Sequence, residues 1–206
     1  MYKFSYFTEN NPDEVLRFMK EYPFAIITAF GDEYPVATHI PLEIVTSAEG
    51  KIFLSGHIMR KTDHHKAFEK NSNVLVVFNG PHTYISASWY TNPQTASTWN
   101  YMTVHAKGKI TLLDEAATYD AVKKITEKYE GGNSTASFES LGDAYVNSMV
   151  KAIIAFTIEV ESIDNVFKLS QNRDEASKKK IIEALLQRPD DDSKKIAAEI
   201  QKRLQS

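Results

Sequence analysis

Several clusters of side chains in this chain carry chemistry that a plain hydrophobic core does not need. One runs from Gly80 to Ile110 and holds both tryptophans, Trp89 and Trp99. Gly80-Pro81-His82-Thr83-Tyr84-Ile85-Ser86-Ala87-Ser88-Trp89-Tyr90 precedes a polar loop, and Ser97-Thr98-Trp99-Asn100-Tyr101-Met102-Thr103-Val104-His105 follows it. Tyr, Trp and His each join a flat apolar face to a hydrogen-bonding group. Such rings, set among hydroxyls and an amide, suit a planar ligand rich in heteroatoms. They equally suit the rim of a half-buried strand pair.

A further cluster is His57-Ile58-Met59-Arg60-Lys61-Thr62-Asp63-His64-His65-Lys66, where a strand enters a helix. Backbone N–H groups at a helix start, with Arg60 and Lys61 beside them, make a natural phosphate site. The glycine spacing of a P-loop is absent. The last cluster, Phe167-Lys168-Leu169-Ser170-Gln171-Asn172-Arg173, packs two cations, two amides and a hydroxyl around one apolar Leu169.

Other chemistries lack their residues. There is no cysteine, so thiolate metal sites and disulfides are excluded. His39, His57, His82 and His105 fall on expected strands, but no zinc-hydrolase spacing accompanies them. They read as structural or ligand-contacting, with no metal. No Gly-x-Ser-x-Gly elbow is present, and no residue stands out as a dedicated catalytic acid or base.

Elements must position these groups. Asn11 caps a helix that starts at Pro12. Phe24 to Phe30 is too short for a helix and reads as a buried strand. Tyr34 to Val45 reads as its hairpin partner, at an edge because of Pro35 and Pro41. Lys51 to His57 is a third strand. A helix follows over Arg60 to Lys70, capped by Thr62 or Asp63. Asn73 to Asn79 is a strand broken by Gly80-Pro81, and His82 to Ser88 the next. Trp99 to Leu113 is a long strand bent at Gly108. Asp114 caps a helix to Tyr129, 130–140 is a loop, and Ile153 to Val166 is the last strand. Strands in hairpin order with inserted helices predict an α+β chain built on a small antiparallel barrel, since closure removes exposed edges.

The tail from Arg173 to Ser206 reads as two helices broken at Arg188-Pro189. From Asp174 on it holds eight basic and seven acidic residues. That balance reads as a helical hairpin packed on the barrel or on a second subunit, not as a DNA reader. The net charge of −3 over 206 residues points the same way. Direct DNA binding is therefore doubtful. Hydrophobic residues at 42% and charged residues at 25% are ordinary for a globular chain. Met1-Tyr2-Lys3-Phe4-Ser5 has no apolar leader character, and no apolar run approaches the ~20 residues that span a bilayer. The expectation is a cytoplasmic protein with no membrane contact.

Taken in order, the segments resemble the PaiB-type family of FMN-binding proteins. The resemblance rests on Ala37-Thr38-His39-Ile40-Pro41-Leu42, Gly56-His57 with Arg60, and Phe78-Asn79-Gly80-Pro81-His82-Thr83-Tyr84-Ile85-Ser86. It continues through Ser88-Trp89-Tyr90, Thr98-Trp99-Asn100-Tyr101 with Val104-His105, and Lys168-Leu169-Ser170-Gln171-Asn172-Arg173. It implies a split β-barrel that dimerises, binds FMN in clefts between subunits and serves as a negative transcriptional regulator. On this reading residues 1–170 form the split-barrel domain and 171–206 a C-terminal helical extension.

The cofactor-binding expectation covers His39, Ile40, Pro41, Leu42, Ser55, His57, Arg60 and Lys61. It also covers Trp99, Asn100, Tyr101, Lys168, Gln171 and Arg173. Within it Arg60-Lys61 anchors the phosphate, the strand backbone at His39 to Leu42 with Asn100 meets the pyrimidine edge, and Trp99 and Tyr101 give flat contacts. Two alternatives stay open. One is a flavin-dependent oxidoreductase of the pyridoxamine-phosphate-oxidase-like group. The other is a haem-binding split barrel with His39, His57, His82 or His105 as axial ligand.

Overall fold

The computed structural model describes residues 1, 4–92 and 94–205. Tyr2 and Lys3 of the leader reading, and Ser206 at the end of the expected tail, lie outside them. The elements run α1 (Pro12–Glu21), β1 (Phe24–Ala29), β2 (Val36–Pro41), β3 (Glu43–Thr46), β4 (Ile52–Met59), α2 (Asp63–Lys70) and β5 (Asn73–Ile85). They continue with β6 (Thr98–Leu112), α3 (Glu115–Glu130), α4 (Asp143–Ala152), β7 (Ile153–Lys168), α5 (Glu175–Leu186) and α6 (Asp191–Gln205). The seven strands form one antiparallel sheet in the order β2-β1-β5-β6-β7-β4-β3. No helix among the described residues is long and apolar enough to cross a membrane.

Chain contacts divide the protein into two units. The first comprises Met1–Tyr22, Phe78–His105 and Asp164–Ser206; the second comprises Pro23–Val77 and Ala106–Ile163.

In the second unit, β2 pairs with β1 from Val36↔Ala29 to Pro41↔Phe24, and β3 pairs with β4 from Glu43↔Ser55 to Thr46↔Ile52. These two strands stand at opposite ends of the sheet order, yet only Leu42 separates them in the chain. A sheet whose first and last strands are joined by one residue has to curl until its edges meet. The Leu42 N–H, which donates to the Pro23 carbonyl at 2.9 Å, fastens that corner. The expected single strand from Tyr34 to Val45 is thus two strands on opposite edges, and the apolar alternation across Leu42 hides the change of partner. Ala25, Ile27, Leu54, Val76, Ala155, Phe156 and Ile158 fill the interior and are fully buried. Gly108 lets β6 approach β7 closely, since a Cβ there would stand 2.2 Å from the Glu159 carbonyl oxygen. Val122, Phe138, Val146 and Val150 make a smaller core that joins α3 to α4. The sequence reading left α4 unassigned.

In the first unit, β5 continues through Gly80-Pro81 instead of breaking there. Gly80 serves proximity: a Cβ would stand 2.4 Å from the Phe18 ring. The strand ends at Ile85, and Ala87–Trp89 is a short 3-10 turn, not strand. Phe18 also meets Phe167, ring centroids 5.1 Å apart. The tail hairpin is present as expected. Ion pairs Lys202–Glu14 at 2.8 Å, Arg17–Glu199 at 3.1 Å and Arg203–Glu9 at 3.0 Å tie α6 to α1 and the segment before it. Thr83 and Ser193 share a buried 2.8 Å hydrogen bond between β5 and α6.

Candidate functional site

Alternation along β4 places Ser55 and His57 on one face. In the second unit they line a cavity of about 560 Å³ with Pro41, Leu42, Glu43 and Gly56. Its opposite wall is α3, whose Ala117, Ala121, Lys124, Ile125 and Lys128 follow the three-to-four-residue spacing of one helical stripe. The two alanines leave room, and the two lysines stand farther along. Lys128 is taken by an ion pair with Glu43. Burial holds the His57 imidazole below its ordinary pKa, so at neutral pH it is uncharged, with one nitrogen to donate and one to accept. The volume lies in the ~300–1,000 Å³ range of small-molecule sites.

At its C-terminal end β4 passes into α2 through Arg60 and Lys61. The Arg60 N–H donates to the Ala152 carbonyl at 2.9 Å, and Lys61 adopts a left-handed backbone at φ 66°. Thr62 caps α2, its hydroxyl accepting the His65 N–H at 3.3 Å and donating to the Met59 carbonyl at 3.0 Å. Asp63 turns to His64, whose backbone N–H it accepts at 2.7 Å. Among the described residues neither Arg60 nor Lys61 has a carboxylate within 4.0 Å. A cation pair left without an internal anion, beside the positive end of a helix, is suited to a dianionic phosphate.

The remaining expected residues of this unit lie outside the cavity wall. His39 is exposed and stacks on Phe24, with centroids 6.3 Å apart, and Ile40 is buried in the core.

The first unit carries the other group. Trp99 is 53% exposed and meets His82 and Tyr84, each with its centroid 6.1 Å away. These rings, with Thr83, Arg188 and Asp190 to Asp192, line an open cavity of about 450 Å³. Asn100 is fully buried, its Nδ2 donating to Ser170 Oγ at 2.9 Å while Oδ1 has no partner among the described residues. Gln171 is spent on its own loop, accepting the Leu169 N–H at 2.7 Å and donating to the Phe167 carbonyl. Lys168 donates to Thr98 Oγ1 at 2.6 Å; burial lowers its pKa, and the charge of Arg173 lowers it further. Arg173 lies over the Tyr90 ring at 4.2 Å. Tyr101 is half-buried on β6.

The structure therefore gathers Pro41, Leu42, Ser55 and His57 at one cavity and sets Arg60 and Lys61 at the strand end that follows. It gives Trp99 a cavity of another kind. Sequence reasoning missed the α3 wall and the Arg188 to Asp192 segment of the tail turn. The wall had a signal: Lys124 and Lys128 share a stripe with Ala117 and Ala121, too small and too charged for a core face alone.

A planar cofactor with a phosphate tail fits what the second unit offers: an apolar slot, a hydroxyl, a neutral imidazole and an unpaired cation pair. Fold and site together define a flavin-binding split barrel. The family model described as "Putative FMN-binding domain" matches residues 1–162, and the chain belongs to that family. The protein named Protease synthase and sporulation protein PAI 2, of Bacillus subtilis (strain 168), is 33% identical over 198 residues, covering 96% of this chain and 95% of that one. Among solved structures, the flavocytochrome Anf3 of Azotobacter vinelandii aligns with a TM-score of 0.60 at 12% identity, over 81% of this chain and 72% of that one. The FAD and haem binding protein of Mycobacterium smegmatis aligns with a TM-score of 0.58 at 14% identity, over 78% and 73%.

Proposed function

We propose that this protein is a homodimeric, cytoplasmic FMN-binding regulator, comparable in role to PAI 2, that acts without strong DNA contact of its own. The observation that carries this reading is the second unit's combination of a neutral, half-buried His57 in an apolar slot with a cation pair free of carboxylates. Bound FMN would supply a ring able to accept a hydride or single electrons. The chain's own residues do the placing. Arg60 and Lys61 take the phosphate, and the β2 segment from His39 through Ile40, Pro41 and Leu42 offers backbone to the pyrimidine edge. Ser55 and His57 hydrogen-bond along the slot.

Trp99, Tyr101, Lys168 and Arg173 are assigned to the same cofactor through the dimer, in which another subunit brings its copy of this group to the flavin. The expected contacts from Asn100, fully buried on Ser170, and Gln171, bonded within its own loop, become supporting ones. Residues 1–170 are the flavin-binding domain in this reading, and 171–206 an extension whose helices serve packing.

The visible spectrum of the protein after incubation with FMN and gel filtration tests the reading. Retained flavin bands are expected. A Soret band after incubation with haem, with no flavin retained, would transfer the assignment to haem, with His57 as the candidate axial ligand. Light scattering with excess FMN is expected to give two 23.3 kDa chains per particle; a single chain would contradict the dimer.

A further inference from the structure

Lys61 and Ser170 are the non-glycine residues with a left-handed backbone among those described, and Lys61 stands at φ 66°. An L residue resists this conformation because its Cβ crowds the following carbonyl, and lysine has no short polar side chain to offset that. The contact found at the turn is a backbone one: the Lys61 N–H donates to Nδ1 of His65 at 3.3 Å. Nδ1 can accept only while it carries no proton, which places the ring hydrogen on Nε2.

His65 is held in place. The residue is 7% exposed, its backbone N–H is taken by the Thr62 cap, and its Nε2 is buried without a partner among the described residues. Leaving a buried donor unpaired is unfavourable, so packing alone would select an apolar side chain here. The imidazole is explained by what Nδ1 does, and Nδ1 holds the turn that presents Arg60 and Lys61. Glu69 Oε2 lies 3.9 Å from Nδ1, too far for a hydrogen bond, and its side chain is 56% exposed. It therefore does not replace the Lys61 contact.

We infer that His65 is the positioning residue of the phosphate anchor and sets the chain's preference for FMN over riboflavin. This role presupposes the FMN phosphate at Arg60 and Lys61. Asparagine carries its oxygen where histidine carries Nδ1, whereas glutamine carries its own one bond farther out, where Nε2 stands. The two substitutions therefore separate the acceptor from mere bulk or polarity.

FMN and riboflavin are titrated, by quenching of flavin fluorescence, into the wild type, His65→Asn, His65→Gln and Arg60→Ala. The wild type is expected to prefer FMN by about tenfold or more, the scale of a hydrogen bond to a charged group. His65→Asn should keep that preference. His65→Gln should lose about tenfold in FMN affinity with riboflavin affinity unchanged. A glutamine variant that keeps the preference, or an asparagine variant that loses as much as glutamine does, overturns the role of His65. Should His65→Gln not fold, His65→Asn decides alone, retention supporting the role and loss overturning it. Failure of the underlying site reads differently: the wild type binds neither flavin or both equally, or Arg60→Ala keeps the preference, and the inference then falls with the anchor.

Discussion

The starts of α2 and α6 answer the same electrostatic demand in opposite ways. Every helix N-terminus presents unpaired N–H groups and a partial positive charge that attract an anion. At α6 the chain meets this from within: Asp190 accepts the Ser193 N–H at 2.8 Å, and Asp191 and Asp192 occupy the first turn. At α2 the cap is the neutral Thr62 hydroxyl, Asp63 is turned to His64, and Arg60 and Lys61 stand immediately before. The α6 end gathers three carboxylates, Asp190 to Asp192, while the α2 end sets the single carboxylate of Asp63 against the two cations Arg60 and Lys61. The difference is the reason the proposed phosphate site is placed at α2, and it disfavours the tail hairpin as a DNA-reading element, since α6 would bring carboxylates to the phosphates.

The largest expected effect breaks the comparison at α2. Arg60→Ala should weaken FMN binding by about 1.5–3 kcal/mol with the melting temperature unchanged, and the exposed Lys61→Ala should do less; calorimetric titration reads both. An equal loss in Arg188→Ala would erase the distinction between the two ends. Next comes the packing beneath α6. Thr83→Val leaves the Ser193 hydroxyl buried without its partner and removes an acceptor of Arg188, and it should lower unfolding stability by about 1–3 kcal/mol in a denaturant titration.

A smaller effect sharpens the contrast through pH. Asp174 caps α5, accepting from the Ser177 backbone N–H, the Ser177 hydroxyl and the Thr91 hydroxyl, and its pKa is drawn down to about 2. A carboxyl with a folded pKa below its unfolded value of 3.8 binds more protons when unfolded. Its stabilisation is therefore complete above that value and lost as pH falls toward about 2. Asp174→Asn should flatten that acid decline in thermal melts without changing FMN affinity at neutral pH. The smallest expected signal is DNA binding. A reader making six to ten phosphate contacts loses ~10³–10⁵ in affinity between 50 and 200 mM salt. Anisotropy titrations against promoter fragments should show weak binding with no such slope.

How much of this was legible depended on whether the cause was local. Asn11 before Pro12, Asp114 before α3 and the break at Arg188-Pro189 are all found where cap and breaker chemistry places them. These signals act within one helical turn. The β2–β3 division was hidden because Leu42 is apolar and buried like its neighbours; only the change of pairing partner marks it. Gly80 was misread as a breaker because its purpose is the Phe18 ring, far away in sequence. The start of β7 conceals α4 in the same way: Ala152 passes directly into Ile153 with no turn residue between. At the site, the cation pair and His57 were readable from residue type. The α3 wall showed only in its stripe of small and charged residues, Ala117, Ala121, Lys124 and Lys128, and what that stripe faces depends on tertiary packing against β4.

The most direct measurement of the central claim is a crystal structure of the protein with FMN. The phosphate is expected within hydrogen-bonding distance of the Arg60 guanidinium, beside the start of α2, with His57 along the ring. A phosphate seated instead at Lys124 of α3, or at Arg188 beside α6, would contradict the account.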